Sequence, residues 1–279
     1  MGPIIELEDD TTWPSPFREK AFAAKELVIA YQRERDRIDQ LAVTDALIRI
    51  NRPPNAYESD YLFLVDQLEA MMATYRIVAY HCTRLTPKEV EDIKSNGLHV
   101  LTADLVRNKI KNCAADGHIT QTDAEYLLSS EYIARTLGNK CGKRTGHICY
   151  CPNRSTLRSA SDVCRLFRSW GGEAIYWGDE VDARMSSILR RVGVPYIVKC
   201  AIPLSDVKHQ YPPISARFLS RLVAADIEHP EPGEAFDLFA ERDLEPSNVL
   251  DLIGYADPRF LTLTEFNRWR PQERPEVLP

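Results

Sequence analysis

The run Arg76-Ile77-Val78-Ala79-Tyr80-His81-Cys82-Thr83-Arg84-Leu85 constrains this chain more than any other stretch. It is short, largely apolar and rich in β-formers, which predicts a β-strand. Side chains at i and i+2 leave a strand on the same face. His81 and Thr83 therefore stand side by side, able to hydrogen-bond into one pocket. Thr86-Pro87-Lys88-Glu89 then carries three helix-start signals: an N-cap threonine, a proline at the first helical position and a glutamate three residues after the cap. Asn96-Gly97 is a C-cap signal, and Leu98 resumes extended chain.

Before this strand the pattern is helical. Phe22, Leu27, Val28, Tyr31, Ile38, Leu41, Ala42 and Leu47 recur at helical spacing over residues 17–50, and Asn51-Arg52-Pro53-Pro54-Asn55 breaks the run. Residues 59–75 read as a second amphipathic helix. After Leu98, helices are predicted over 102–115 and 120–137, followed by a loop over 138–146. A short strand at 147–151 is stopped by Pro152. Helices follow over 159–170 and from 173 to about 191, with Gly171-Gly172 between them. A strand over 196–202 ends at Pro203. Residues 216–223 fit a strand or a short helix equally well. Strands are expected over 235–244 and 248–255, and then a polar, proline-rich tail. Strands dispersed among helices, with antiparallel returns late in the chain, predict an α+β fold. The expected division is a helical extension over 1–74 and one domain over 75–279. No G-x-G-x-x-G follows a strand, and neither a P-loop nor a G-x-S-x-G elbow is present.

At 279 residues the length suits one large domain or a catalytic domain with an extension. No apolar run approaches the ~20 residues of a membrane span, so no membrane contact is expected. Glu6, Glu8, Asp9 and Asp10 oppose a secretory signal, and a cytoplasmic location is expected. The seven cysteines are an odd number without a C-x-x-C pair. Reduced, buried thiols fit better than a zinc site built from Cys141, His147, Cys149, Cys151 and Cys164, and no metal is expected. Charge is segregated. Arg135, Lys140, Lys143, Arg144, Arg154, Arg158, Arg165 and Arg168 face Asp162 alone over residues 135–168, whereas 226–257 is strongly acidic. The basic segment suits phosphate or nucleic acid, or is a solvated face balanced by the acidic one.

The order of elements around Tyr80-His81-Cys82-Thr83 resembles the catalytic core of ADP-ribosyltransferases of the histidine–tyrosine–glutamate kind, a group that includes the poly-ADP-ribose polymerases and diphtheria-type toxins. The first strand of that family carries Tyr-His-x-Thr. Ile148-Cys149-Tyr150-Cys151-Pro152 is similar to its second, tyrosine-bearing strand. Gly233-Glu234-Ala235-Phe236-Asp237-Leu238 stands where its glutamate-bearing strand begins, and Leu244-Glu245-Pro246-Ser247-Asn248-Val249 resembles the link into its last strand. Trp170-Gly171-Gly172-Glu173 is similar to a segment of bacterial toxin or phage-defence proteins. The resemblance covers roughly residues 75–255.

The resemblance implies a split antiparallel sheet, NAD as substrate and a macromolecular acceptor, RNA, DNA or protein, with nucleic acid reached through the basic 135–168 segment. It implies His81 on the NAD ribose, Thr83 on the adenosine side, Tyr150 stacked on nicotinamide and Glu234 as the catalytic carboxylate. Glu231, Asp237 and Glu241 compete for that last role, and Glu173, beside Trp170, Tyr176 and Trp177, is the rival. The chemistry suits these types. Transfer leaves positive charge on the ribose, which a carboxylate stabilises. An aromatic face holds a flat ring, and arginines hold pyrophosphate, so Arg84, Arg154 and Arg158 are candidates. Two other readings compete: an inactive relative that binds a nucleotide or a partner protein such as an antitoxin, and an RNA-binding or RNA-cleaving protein that uses His81.

Overall fold

The computed structural model describes residues 2–137, 145–172, 175–208, 212–227 and 236–274. It divides into two units, residues 1–77 with 203–205 and 209–234, and residues 78–202 with 206–208 and 235–279. The first unit therefore extends slightly beyond the expected 1–74 and also takes back a segment far downstream.

In the first unit, β1 (Ile4–Ile5) pairs in parallel with Arg76 and Ile77. Helices α1 (Ser15–Ala23), α2 (Lys25–Thr44), α3 (Ala46–Ile50) and α4 (Glu58–Met72) follow. The long helical stretch breaks at Asp45, whose carboxylate caps α3 by accepting from the Leu47 and Ile48 amides. Residues 216–223, ambiguous in sequence, lie in the helix α13 (Ile214–Val223) of this unit. Its Phe218 packs edge-on against Trp13 and Phe17 at centroid distances of 5.0 and 5.6 Å. Ser215 donates from its amide to Glu69 and from its hydroxyl to the Val65 carbonyl.

The second unit is built on β2 (Arg76–Leu85), α5 (Pro87–Asn96), α6 (Ala103–Ala115), α7 (Gln121–Ser129), α8 (Glu131–Leu137), β3 (Ile148–Tyr150), α9 (Arg154–Arg158), α10 (Ala160–Arg168), α11 (Tyr176–Val181), α12 (Ala183–Leu189), β4 (Val194–Pro203), β5 (Leu238–Ala240), β6 (Val249–Gly254) and α14 (Pro258–Thr264). Strand β4 lies between β2 and β6 and runs antiparallel to β6. A separate ribbon pairs β3 antiparallel with β5. It meets β2 at an isolated bridge, where Tyr80 and Cys151 exchange both backbone hydrogen bonds at 2.9 Å. Mixed α and β elements with antiparallel returns bear out the α+β class. Among the described residues of the expected strand over 235–244, the strand β5 spans Leu238–Ala240.

The cap signals around β2 fold as their chemistry dictates. The Glu89 carboxylate accepts from the Thr86 amide and the Thr86 hydroxyl accepts from the Glu89 amide, a reciprocal capping box. Gly97 takes φ 79°, a conformation open to glycine. A Cβ there would stand 1.8 Å from the Leu244 carbonyl oxygen, so glycine permits the Leu98–Leu244 bridge that returns the chain after β5 to the end of α5. Val106, Ile110, Leu127, Trp170, Met185, Ile188 and Leu189 belong to one buried apolar cluster.

Candidate functional site

A cavity of about 830 Å³ opens within the second unit. The ladder explains which side chains reach it. Cys149 pairs with Phe239, and Tyr150 with Leu238. With a period of two, His147, Cys149 and Cys151 share one face of the ribbon with Asp237 and Phe239, and all five line the cavity. Tyr150 and Leu238 point the other way and are 1% and 0% exposed.

His81 and Thr83 both line this cavity, as their i, i+2 spacing predicts. The His81 Nδ1 lies 2.9 Å from the Cys149 carbonyl oxygen. A carbonyl only accepts, so Nδ1 carries the proton, and in the neutral ring Nε2 is an acceptor. Burial, joined by the positive charge of Lys109, outweighs the Cys149 hydrogen bond and holds the imidazole below its ordinary value of 6.5. The unfolded chain thus takes up a proton at a pH where the folded one does not. His81 therefore withdraws stability as pH falls below about 6.5, until its lower folded-state value is passed. A histidine-resolved NMR titration is expected to give His81 a midpoint below 6.5, and a midpoint at or above that value would contradict this environment.

The wall opposite is the pair of helices α5 and α6. Glu89 is held by three donors: the Thr86 amide at 2.8 Å, the Trp170 indole N–H at 2.9 Å and the Lys109 ammonium at 2.9 Å. Burial alone would raise its carboxyl, but these donors outweigh it and hold it below the ordinary range. Gly171 and Gly172 adopt φ 95° and 60°, turning the chain beneath Thr83. Thr156 lines the same cavity, and its buried hydroxyl has no hydrogen-bond partner among the described residues.

The other expected site residues fall elsewhere. Tyr150 is not a stacking face for a ligand in this cavity. Its ring packs edge-on to His81 with centroids 5.9 Å apart, and burial pushes its phenol far up. Arg84 is not a pyrophosphate ligand: it is 1% exposed, and its guanidinium donates to the carbonyls of Phe167, Arg190, Val192 and Gly193. Arg154 donates to the Tyr80 hydroxyl at 3.2 Å and is not among the lining residues. Glu234, Glu231 and Glu173 lie outside the described residues. Glu241 stands 3.4 Å from His147. Of the competing carboxylates described, Asp237 lines the cavity. Phe239, which sequence reasoning passed over, supplies an aromatic lining; its signal was the alternation from Asp237.

Three described cations of the basic segment are matched by acids within the fold. Arg158 pairs with Glu265 at 3.4 Å, and Arg165 and Arg168 converge on Glu180 at 2.7 and 3.3 Å. Lys140, Lys143 and Arg144 lie outside the described residues. Among the described residues no group of three or more His, Cys, Asp or Glu is placed to hold a metal ion, and no helix is long and apolar enough to cross a membrane. Comparison with protein-family models, curated proteins and solved structures finds no match.

Proposed function

We propose that this chain is an NAD-dependent ADP-ribosyltransferase whose donor site is the cavity of the second unit. The observation that carries the reading is the convergence on one cavity of His81, in β2, and Asp237, at the entry to β5 far downstream. Its size lies within the ~300–1,000 Å³ of small-molecule sites. The roles follow from the groups. His81 Nε2 accepts from a ribose hydroxyl, and Thr83 adds a second hydroxyl on the same strand face. Phe239 offers a flat face to the departing ring. Nicotinamide leaves with the bonding electron pair, positive charge builds on the ribose, and the Asp237 carboxylate stabilises it. The antiparallel β3–β5 ribbon joined to β2 fits the split sheet that the resemblance implies.

The acceptor is a macromolecule, and the charges favour protein over nucleic acid. Arg158, Arg165 and Arg168 are already paired. The exposed acids Asp92 and Asp237 line the cavity and repel a polyanion, while Glu91 is paired with Lys94. The test is nicotinamide release from NAD. Wild-type protein should release it, and His81→Ala should lose about 100-fold or more. Folded wild-type protein that releases none, with protein, RNA and DNA each supplied as acceptor, would sink the proposal. Tight NAD binding without release would leave the inactive nucleotide-binding relative.

A further inference from the structure

We propose that Lys109, held in place by Glu89 and Trp170, is the residue through which this cavity takes a phosphate or diphosphate group of its ligand. The inference rests on the NAD reading for its place in a reaction, but its binding chemistry stands on the geometry alone.

Lys109 sits on α6 with its side chain 30% exposed, and it lines the cavity that holds His81. Its ammonium lies 2.9 Å from Glu89 Oε1 and 5.6 Å above the centre of the Trp170 ring. Glu89 is itself fixed, because its Oε2 accepts from both the Thr86 amide and the Trp170 indole. The carboxylate therefore acts as an anchor. An ammonium has three protons; one suffices for Glu89, and two remain for a ligand.

The other lysine lining the cavity serves less well. Lys88 is 62% exposed against 30% for Lys109, so solvent screens its charge more strongly. With Arg84 committed to backbone carbonyls, Lys109 is, among the described residues, the cation best placed to meet an anion beside His81. Its positive charge already acts on that imidazole.

Calorimetric titration of the full chain with ADP-ribose, inorganic pyrophosphate and adenosine tests this. Wild-type protein should bind ADP-ribose and pyrophosphate. Lys109→Met should weaken both by roughly 10- to 100-fold, the worth of a hydrogen bond to a charged group, and leave adenosine unchanged. Lys109→Arg should recover part of the loss. Glu89→Gln should weaken phosphate binding while adenosine binding persists, which separates positioning from collapse of the fold. Wild-type affinity in Lys109→Met, or wild-type protein that binds neither phosphorylated probe, overturns the assignment. Nicotinamide release by a Lys109→Met protein with undiminished ADP-ribose affinity would leave the transferase reading standing and remove Lys109. Lys109-dependent ADP-ribose binding without any nicotinamide release would keep the phosphate site and remove the transferase.

Discussion

Arg84→Met is expected to destabilise the protein by at least about 3 kcal/mol, and a melting temperature within a degree or two of wild type would contradict the structure at this point. The guanidinium is buried at the end of β2, where it gathers the carbonyls of Phe167, Arg190, Val192 and Gly193. These come from the end of α10 and from the turn between α12 and β4. Removing the donor leaves several buried acceptors unsatisfied, at about 1–3 kcal/mol each where water cannot reach them. For a chain of this length that is a fall of roughly 6–12 °C, readable by circular dichroism. Arg84→Lys should lose nearly as much, because one ammonium cannot span the four carbonyls that a planar fork reaches. An unchanged melting curve with lost phosphate binding would instead return Arg84 to the ligand.

Asp237→Asn should lower nicotinamide release by about 100- to 1,000-fold, the usual scale for losing one electrostatic contact to a transition state. Its melting curve should stay close to wild type, since Asp237 is exposed at the entry to β5. Asparagine keeps the shape and removes the charge, so the loss reports electrostatics rather than packing. Glu234→Gln is the control. If it abolishes release while Asp237→Asn does not, the catalytic carboxylate lies three residues earlier than the cavity lining indicates.

The strand and the capped helix that follows were legible because local chemistry fixes them. The proline, the Thr86–Glu89 capping box and the Asn96-Gly97 terminus each act within a few residues, and α5 runs from Pro87 to Asn96. The pairing of His81 with Thr83 followed from strand geometry alone. What failed needed long-range information. Period two says that Cys149 and Cys151 share a face and that Tyr150 does not. It does not say which face meets the cavity; the register with β5 and the bridge to Tyr80 decide that. A polar residue at a strand end reads as a ligand contact, and only the turn at Arg190–Gly193, a hundred residues downstream, shows that Arg84 is structural. Residues 216–223 carry an apolar pattern too short to separate strand from helix. Trp13, Phe17 and Phe218 settle it in three dimensions. Glu89 was read as a cap, and its second role appears only when α6 and Trp170 close on it.

The central claim is that NAD binds with a ribose hydroxyl on His81 Nε2. Histidine-selective ¹⁵N NMR during titration with NAD tests it most directly. The account predicts that the His81 Nε2 resonance moves saturably while the ring stays neutral, with Nδ1 still protonated toward Cys149, and that NAD affinity falls in His81→Ala. A His81 resonance that does not move at NAD concentrations saturating the protein would contradict it.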